Sequence, residues 1–277
     1  MYEAHFGLSR RPFAETVDAS EFVRLPSREA VVRRVRYALE QGGAPALVFG
    51  PPGSGKTILA RTLAREMNVE TVHLTFPMMP VEDLIRFLTR ELGARSESDD
   101  SLAGRLTALR RWLSAAAIRG ARPLVVVDEA QTIADPAAFD ALRGLQNFAT
   151  LGPPDLMLLL VGGPDVLLRL DPGMLDRLSA RCSVGRLTRA ESISYLHGRL
   201  ALAGARDPRA ILPPDVVSAL HHAGDGLPRR LNRLADLALL IAYANGDPAP
   251  SARAVSLAAR ELDPEGVADW GLQVAEV

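Results

Sequence analysis

The run Gly50-Pro51-Pro52-Gly53-Ser54-Gly55-Lys56-Thr57 matches the phosphate-loop pattern G-x-x-x-x-G-K-[ST] in full. Its glycines let the backbone fold tightly, so that amide N–H groups at a helix N-terminus point at phosphate oxygens. Lys56 brings a compact positive charge to the β and γ phosphates of ATP, and Thr57 offers its hydroxyl to a magnesium ion. Ile58, the next residue, opens the helical pattern that follows and completes the cradle. Lys56 is also the single lysine among 32 basic residues. A site that needs a point-like ammonium rather than a planar guanidinium accounts for that exception.

A second chemical signal is Leu124-Val125-Val126-Val127-Asp128-Glu129, an apolar run that ends in two carboxylates. Asp128 at the strand tip is positioned to hold magnesium, and Glu129 to polarise the water that attacks in line. An acidic pair after a strand is by itself an ordinary loop entry; downstream of an intact phosphate loop it reads as a hydrolytic pair. Asp176-Arg177-Leu178-Ser179-Ala180-Arg181 stands just before the last strand candidate. Arg177 or Arg181 could reach the γ-phosphate held by a neighbouring subunit, and the alternative is a plain surface arginine in an arginine-rich chain. In Gly226-Leu227-Pro228-Arg229-Arg230-Leu231-Asn232, Pro228 suits a first helical turn and Arg229 would stand where a helical lid faces nucleotide.

The elements that must position these groups alternate. Ala30, Val31, Val35, Ala38 and Leu39 recur at helical spacing after Ser27, and Gln41-Gly42-Gly43 stops that helix. Strands are expected over 46–49, 69–74, 124–127, 156–161 and 183–187, with helices over 58–67, 83–92, 102–118 and 137–148. The polar stretch 94–100 reads as a surface loop. After residue 188 strands cease, and Thr188-x-x-Glu191 looks like a capping box opening the first of several helices. The expectation is an α/β P-loop NTPase: a three-layer αβα core with a parallel five-stranded sheet over 1–187 (with an N-terminal linker helix), a small all-helical lid over 188–263, and a tail over 264–277.

Composition narrows the classes. A chain of 277 residues that is 48% hydrophobic has ample material for a core, and a net charge of −1 gives no global footprint for nucleic acid or an anionic membrane. No stretch approaches the roughly 18 unbroken apolar residues of a membrane span, and the start does not read as a signal peptide. One cysteine, Cys182, forms no internal disulfide and reads as a small buried residue. A cytoplasmic protein without direct membrane insertion is expected. Arg28, Arg33, Arg34 and Arg36 read as a solvated helix face ahead of a phosphate-binding strip. His221-His222 lacks partners at zinc-ligand spacing, and Met78-Met79 reads as loop or core packing.

With those residues in view, the chain resembles the AAA+ ATPases, specifically the ExeA (general secretion pathway protein A) group of bacterial ATPases. The likeness is carried by the opening Met1-Tyr2-Glu3-Ala4-His5-Phe6-Gly7-Leu8 with Pro12-Phe13, by Asp128-Glu129-Ala130-Gln131, and by Val161-Gly162-Gly163-Pro164-Asp165. Arg199-Leu200, Ala203-Gly204 and Gly226-Leu227-Pro228-Arg229 extend it to about residue 250. The resemblance implies a Walker A site at Gly50 to Thr57, a Walker B site at Asp128 and Glu129, an arginine finger at Arg177 or Arg181, and a sensor-2 arginine at Arg229. It also implies a homo-oligomer, ring or filament, with ATP and magnesium between subunits. Members either energise assembly of envelope machinery or, in the related transposition-helper branch, polymerise on DNA. Two departures stand out. Gly163 occupies the sensor-1 place, where the group usually carries a polar side chain, so a water-orienting contact is either missing or supplied from elsewhere. Secretion members continue into a membrane span and a cell-wall-binding region that this sequence does not contain, which weakens the expectation of a direct secretin-assembly role. An enzyme that drives a conformational change in a partner is the leading expectation; an ATP-gated DNA-binding scaffold is the alternative. A small-molecule kinase fits the arginine-bearing helical domain poorly.

Overall fold

Runs such as Leu124–Val127 are apolar at every position, which suits a strand that has helices on both faces. The computed structural model describes residues 1–41, 44–94, 101–146, 148 and 156–262. The stretch 95–100 and the tail from 263 lie outside them. In chain order the elements are α1 (Pro26–Gln41), β1 (Ala46–Phe49), α2 (Lys56–Met67), β2 (Thr71–Leu74), α3 (Val81–Glu91), α4 (Leu102–Ile118) and β3 (Leu124–Val127). There follow α5 (Pro136–Gln146), β4 (Met157–Gly162), α6 (Val166–Arg169), α7 (Pro172–Arg177) and β5 (Ala180–Ser183). The helical region holds α8 (Arg189–Leu202), α9 (Pro208–Ile211), α10 (Pro214–Gly224), α11 (Pro228–Asn245) and α12 (Ala252–Leu262).

The five strands form one sheet in the order β2-β3-β4-β1-β5, and every pairing is parallel. The period of two divides each strand between two layers. Leu47, Val125, Val127, Leu158 and Leu160 pack with α3, α4 and α5 on one face. Val48, Leu124, Val126, Leu159 and Val161 pack with α1 and α2 on the other. The three-layer αβα core is therefore as expected, and each fully buried aliphatic chain contributes about 1.5–3 kcal/mol.

Two details depart from the sequence reading. The fifth strand runs over Ala180–Ser183 rather than 183–187, so Arg181 lies within it instead of before it. As an edge strand, β5 buries Ala180 and Cys182 and leaves Arg181 and Ser183 exposed. The apolar residues Val184 and Leu187, which suggested the later register, are buried in the connection to the helical region. The arginines of α1 also split. Arg28 is buried and donates to the carbonyl of Gly185 at 2.6 Å, and Arg36 pairs with Glu66, while Arg33 and Arg34 stay exposed.

The C-terminal helices have a core of their own, and the N-terminus joins it. Tyr2, Phe6, Leu8 and Phe13 pack with Leu196, Leu220, Leu231 and Leu239. The Tyr2 hydroxyl donates to Asp236 at 2.5 Å, and Arg11 pairs with the same carboxylate. Buried Arg199 of α8 donates to the carbonyls of Pro12 at 2.8 Å and Ala14 at 3.0 Å. Residues 1–14 are thus fastened to the helical region, and the chain crosses back to the core through residues 15–25. Among the described residues no helix is long and apolar enough to cross a membrane.

Candidate nucleotide site

The phosphate loop leaves the C-terminal end of β1, and the acidic pair leaves the C-terminal end of β3. Strand β4 lies between them, so its last residue, Gly162, and the next, Gly163, sit between loop and acids. Such a crevice at strand ends is the ordinary ligand position of an open parallel sheet.

Lys56 is buried, and its ammonium donates to the carbonyls of Gly50 at 3.0 Å and Pro51 at 3.1 Å. Burial pulls its pKa below the usual lysine range, partly offset by the charges of Glu129 and Asp128 and reinforced by Arg229. The hydroxyl of Ser54 is buried and has no hydrogen-bond partner among the described residues. A buried cation donating to neutral carbonyls and an orphaned hydroxyl both suit an anionic ligand in the loop.

The Thr57 hydroxyl donates to Asp128 at 2.7 Å. That hydroxyl and that carboxylate are hard oxygen donors side by side, the protein share of a magnesium site completed by substrate phosphates and water. Glu129 takes a left-handed conformation, with φ 50°. Its N–H is held by the Asp128 side chain at 2.9 Å, and its carbonyl accepts from both the N–H and the hydroxyl of Thr132 at 2.8 Å. These bonds offset the cost of about 1–2 kcal/mol for that backbone in a non-glycine residue. The turn leaves the Glu129 carboxylate exposed at the mouth of the cleft.

The far wall comes from α11. Arg229 lines the cleft with Pro228 and Asn232, and its guanidinium lies 4.0 Å from Glu15, an exposed pair of little energetic weight. Pro52 to Ile58, Glu129, Gln131 and Gly163 line the polar end. Phe22, Val23, Leu25, Leu187 and Tyr195 also line the cleft and give it apolar surface that suits a flat base, with Arg28 and Arg199 among them.

The structure therefore brings together Gly53, Ser54, Gly55, Lys56, Thr57, Ile58, Glu129 and Arg229 around one cleft, with Asp128 hydrogen-bonded to Thr57 beneath it and Gly50 and Pro51 behind Lys56. Arg177, at the end of α7, and Arg181, in β5, are exposed and do not line it. The sequence reading missed this apolar surface and the role of Arg28 beside it. Phe22-Val23 with Leu25 ahead of α1 was the available sign, but it carries no spacing that announces a ligand. His221 is paired with Ser192 at 2.8 Å, and among the described residues no cluster of His, Cys, Asp or Glu could hold a metal unaided.

The chain is similar to several known proteins. Residues 39–170 match the family model described as AAA domain. General secretion pathway protein A of Aeromonas hydrophila is 30% identical over 99% of this chain and 51% of its own length. The chain thus spans about half of that relative. Among solved structures, Cdc6p of Pyrobaculum aerophilum superposes with a TM-score of 0.70 at 20% identity, covering 90% of this chain and 70% of that one. The Aeropyrum pernix ORC1 protein in complex with DNA superposes with a TM-score of 0.64 at 20% identity, covering 87% and 67%. At such identities these structures speak to the fold alone.

Proposed function

We propose, from the premise that this chain is an AAA+ ATPase similar to general secretion pathway protein A, that it binds Mg-ATP between core and lid and hydrolyses it with an arginine from a neighbouring copy. The observation that carries the reading is the single lysine, buried and donating to the carbonyls of Gly50 and Pro51, beside the Thr57–Asp128 pair and Glu129.

The roles follow from chemistry. Lys56 exchanges its loop carbonyls for phosphate oxygens, and the amides of the loop share that charge. Thr57 and Asp128 would hold magnesium, which supplies charge neutralisation to the phosphates. Glu129 orients the water; the water oxygen bonds to the γ-phosphorus as the bond to the bridging oxygen breaks, ADP departs, and one water proton passes to the Glu129 carboxylate. Arg229 reaches the phosphates from the lid, so the angle between lid and core depends on which nucleotide is bound. Arg177 and Arg181 are exposed and lie off their own cleft, which supports one of them serving the next subunit of a ring or filament.

Lid movement would be the output, passed to a partner assembly of the envelope-machinery kind, with the protein acting in the cytoplasm. A second reading, an ATP-gated DNA-binding scaffold, draws support from exposed Arg33 and Arg34 on α1 and from the fold shared with a DNA-bound relative. ATPase activity against protein concentration, with and without DNA, tests both. We expect specific activity to rise with concentration and Arg177→Ala to lose turnover but keep ATP; if that variant is unaffected, Arg181→Ala should show the loss. Constant specific activity across a range in which light scattering records assembly would contradict a shared site. DNA stimulation that falls steeply with salt and is lost on neutralising Arg33 and Arg34 would favour the scaffold.

A further inference from the structure

Gln131 is a polar side chain of the cleft to which the mechanism above gives no role. Gln131 sits in the short 3-10 turn that follows the acidic pair, and both ends of its amide are engaged. Its Nε2 donates to Glu129 Oε2 at 2.6 Å, and its Oε1 accepts from the backbone N–H of Gly163 at 2.8 Å. The two partners fix which way the amide faces, since a main-chain N–H can only donate and a carboxylate can only accept. The end of β4 makes room for it. A Cβ at Gly162 would lie 2.6 Å from Gln131 Oε1, closer than atoms tolerate, whereas one at Gly163 would meet the amide carbon at an ordinary 3.6 Å.

We propose that Gln131 is a positioning residue for Glu129. It bridges the end of β4 to the carboxylate and does the work that a polar side chain at position 163 would otherwise do. The inference rests on the hydrolytic reading of the site. With one carboxylate oxygen held by the amide and the amide held by rigid sheet backbone, Glu129 presents its other oxygen to the water in a fixed direction. The contact between residues 131 and 163 accounts for a glycine at the sensor-1 place: the water-orienting function is anchored there through a main-chain N–H and delivered by Gln131.

The experiment compares kcat and ATP affinity of the full chain with those of Gln131→Ala, Gln131→Glu and Gly162→Ala, using a fluorescent ATP analogue for binding and thermal melts for folding. Gln131→Ala should lower kcat by about 10- to 100-fold with affinity and melting unchanged, the loss expected for a hydrogen bond to a charged group. Gln131→Glu keeps the shape and the acceptor for Gly163 but puts an acceptor against Glu129, and it should fall as far. Gly162→Ala should also fall, because its methyl group evicts the amide. Wild-type kcat in Gln131→Glu, or loss of affinity in step with kcat in Gln131→Ala, would overturn the proposal while leaving hydrolysis intact. No turnover by the wild-type protein would instead sink the hydrolytic reading, and this proposal with it.

Discussion

The main-chain N–H of Arg229 donates to the carbonyl of Gly53 at 3.1 Å, so the first turn of α11 is hydrogen-bonded directly to the phosphate loop. The first N–H groups of a helix lack partners within it, and α11 has no side-chain cap. The loop caps it instead. Gly53 permits this approach twice over: its φ is +77°, and a Cβ there would lie 2.8 Å from the Arg229 Cβ. Gly53→Ala should therefore weaken ATP binding by roughly tenfold or more, from about 1–2 kcal/mol of backbone strain plus the displaced helix, and lower the melting temperature. Fluorescent ATP titration and a thermal melt check both.

Arg229→Ala separates the side chain from that backbone bond. The N–H to Gly53 survives, so melting should be unchanged, while ATP affinity falls about tenfold or more through loss of a charged hydrogen-bond donor. Equal affinity in variant and wild type would place the arginine outside the site.

Burial holds the pKa of Lys56 below the usual lysine range in the free protein, and bound phosphates favour its charged form. The complex therefore binds more protons than the free protein between those two pKa values. ATP affinity should fall as pH rises through that window, beginning on the acid side of the ordinary lysine range, and level off below it. Titrations across the alkaline range measure the slope, whose sign should be a loss of affinity with rising pH.

Arg199 tests how the N-terminal strap is fastened. Arg199→Ala leaves the carbonyls of Pro12 and Ala14 without their buried donor and should destabilise the protein by about 2–3 kcal/mol. Because Val23 and Leu25 line the cleft, ATP affinity should drop with it. Urea unfolding with and without nucleotide checks both.

What could be read from the sequence was chemistry written in contiguous residues. Ala46 to Thr57 and Leu124 to Glu129 each carry their strand, turn and reactive group within a few positions, so local pattern placed them in the αβα sheet. The strap could not be read that way. Pro12 and Arg199 are 187 residues apart, and nothing local marks an arginine that will be buried for its donors. Arg28 misled for the same reason, since burial against Gly185 depends on how α1 crosses the sheet. The fifth strand slipped because an edge strand buries only alternate residues, and Val184 with Leu187 gave the stronger apolar signal. Gln131 and Gly163 were both visible as motif residues, but only the neighbouring positions of β3 and β4 bring them into contact.

The most direct test is ATP hydrolysis by Glu129→Gln beside wild type, with magnesium, at a protein concentration where light scattering shows assembly. The account predicts that wild type turns over and that Glu129→Gln binds ATP with similar affinity while kcat falls by at least about 100-fold. Wild-type turnover in the variant, or failure of the wild-type protein to hold ATP, would contradict it.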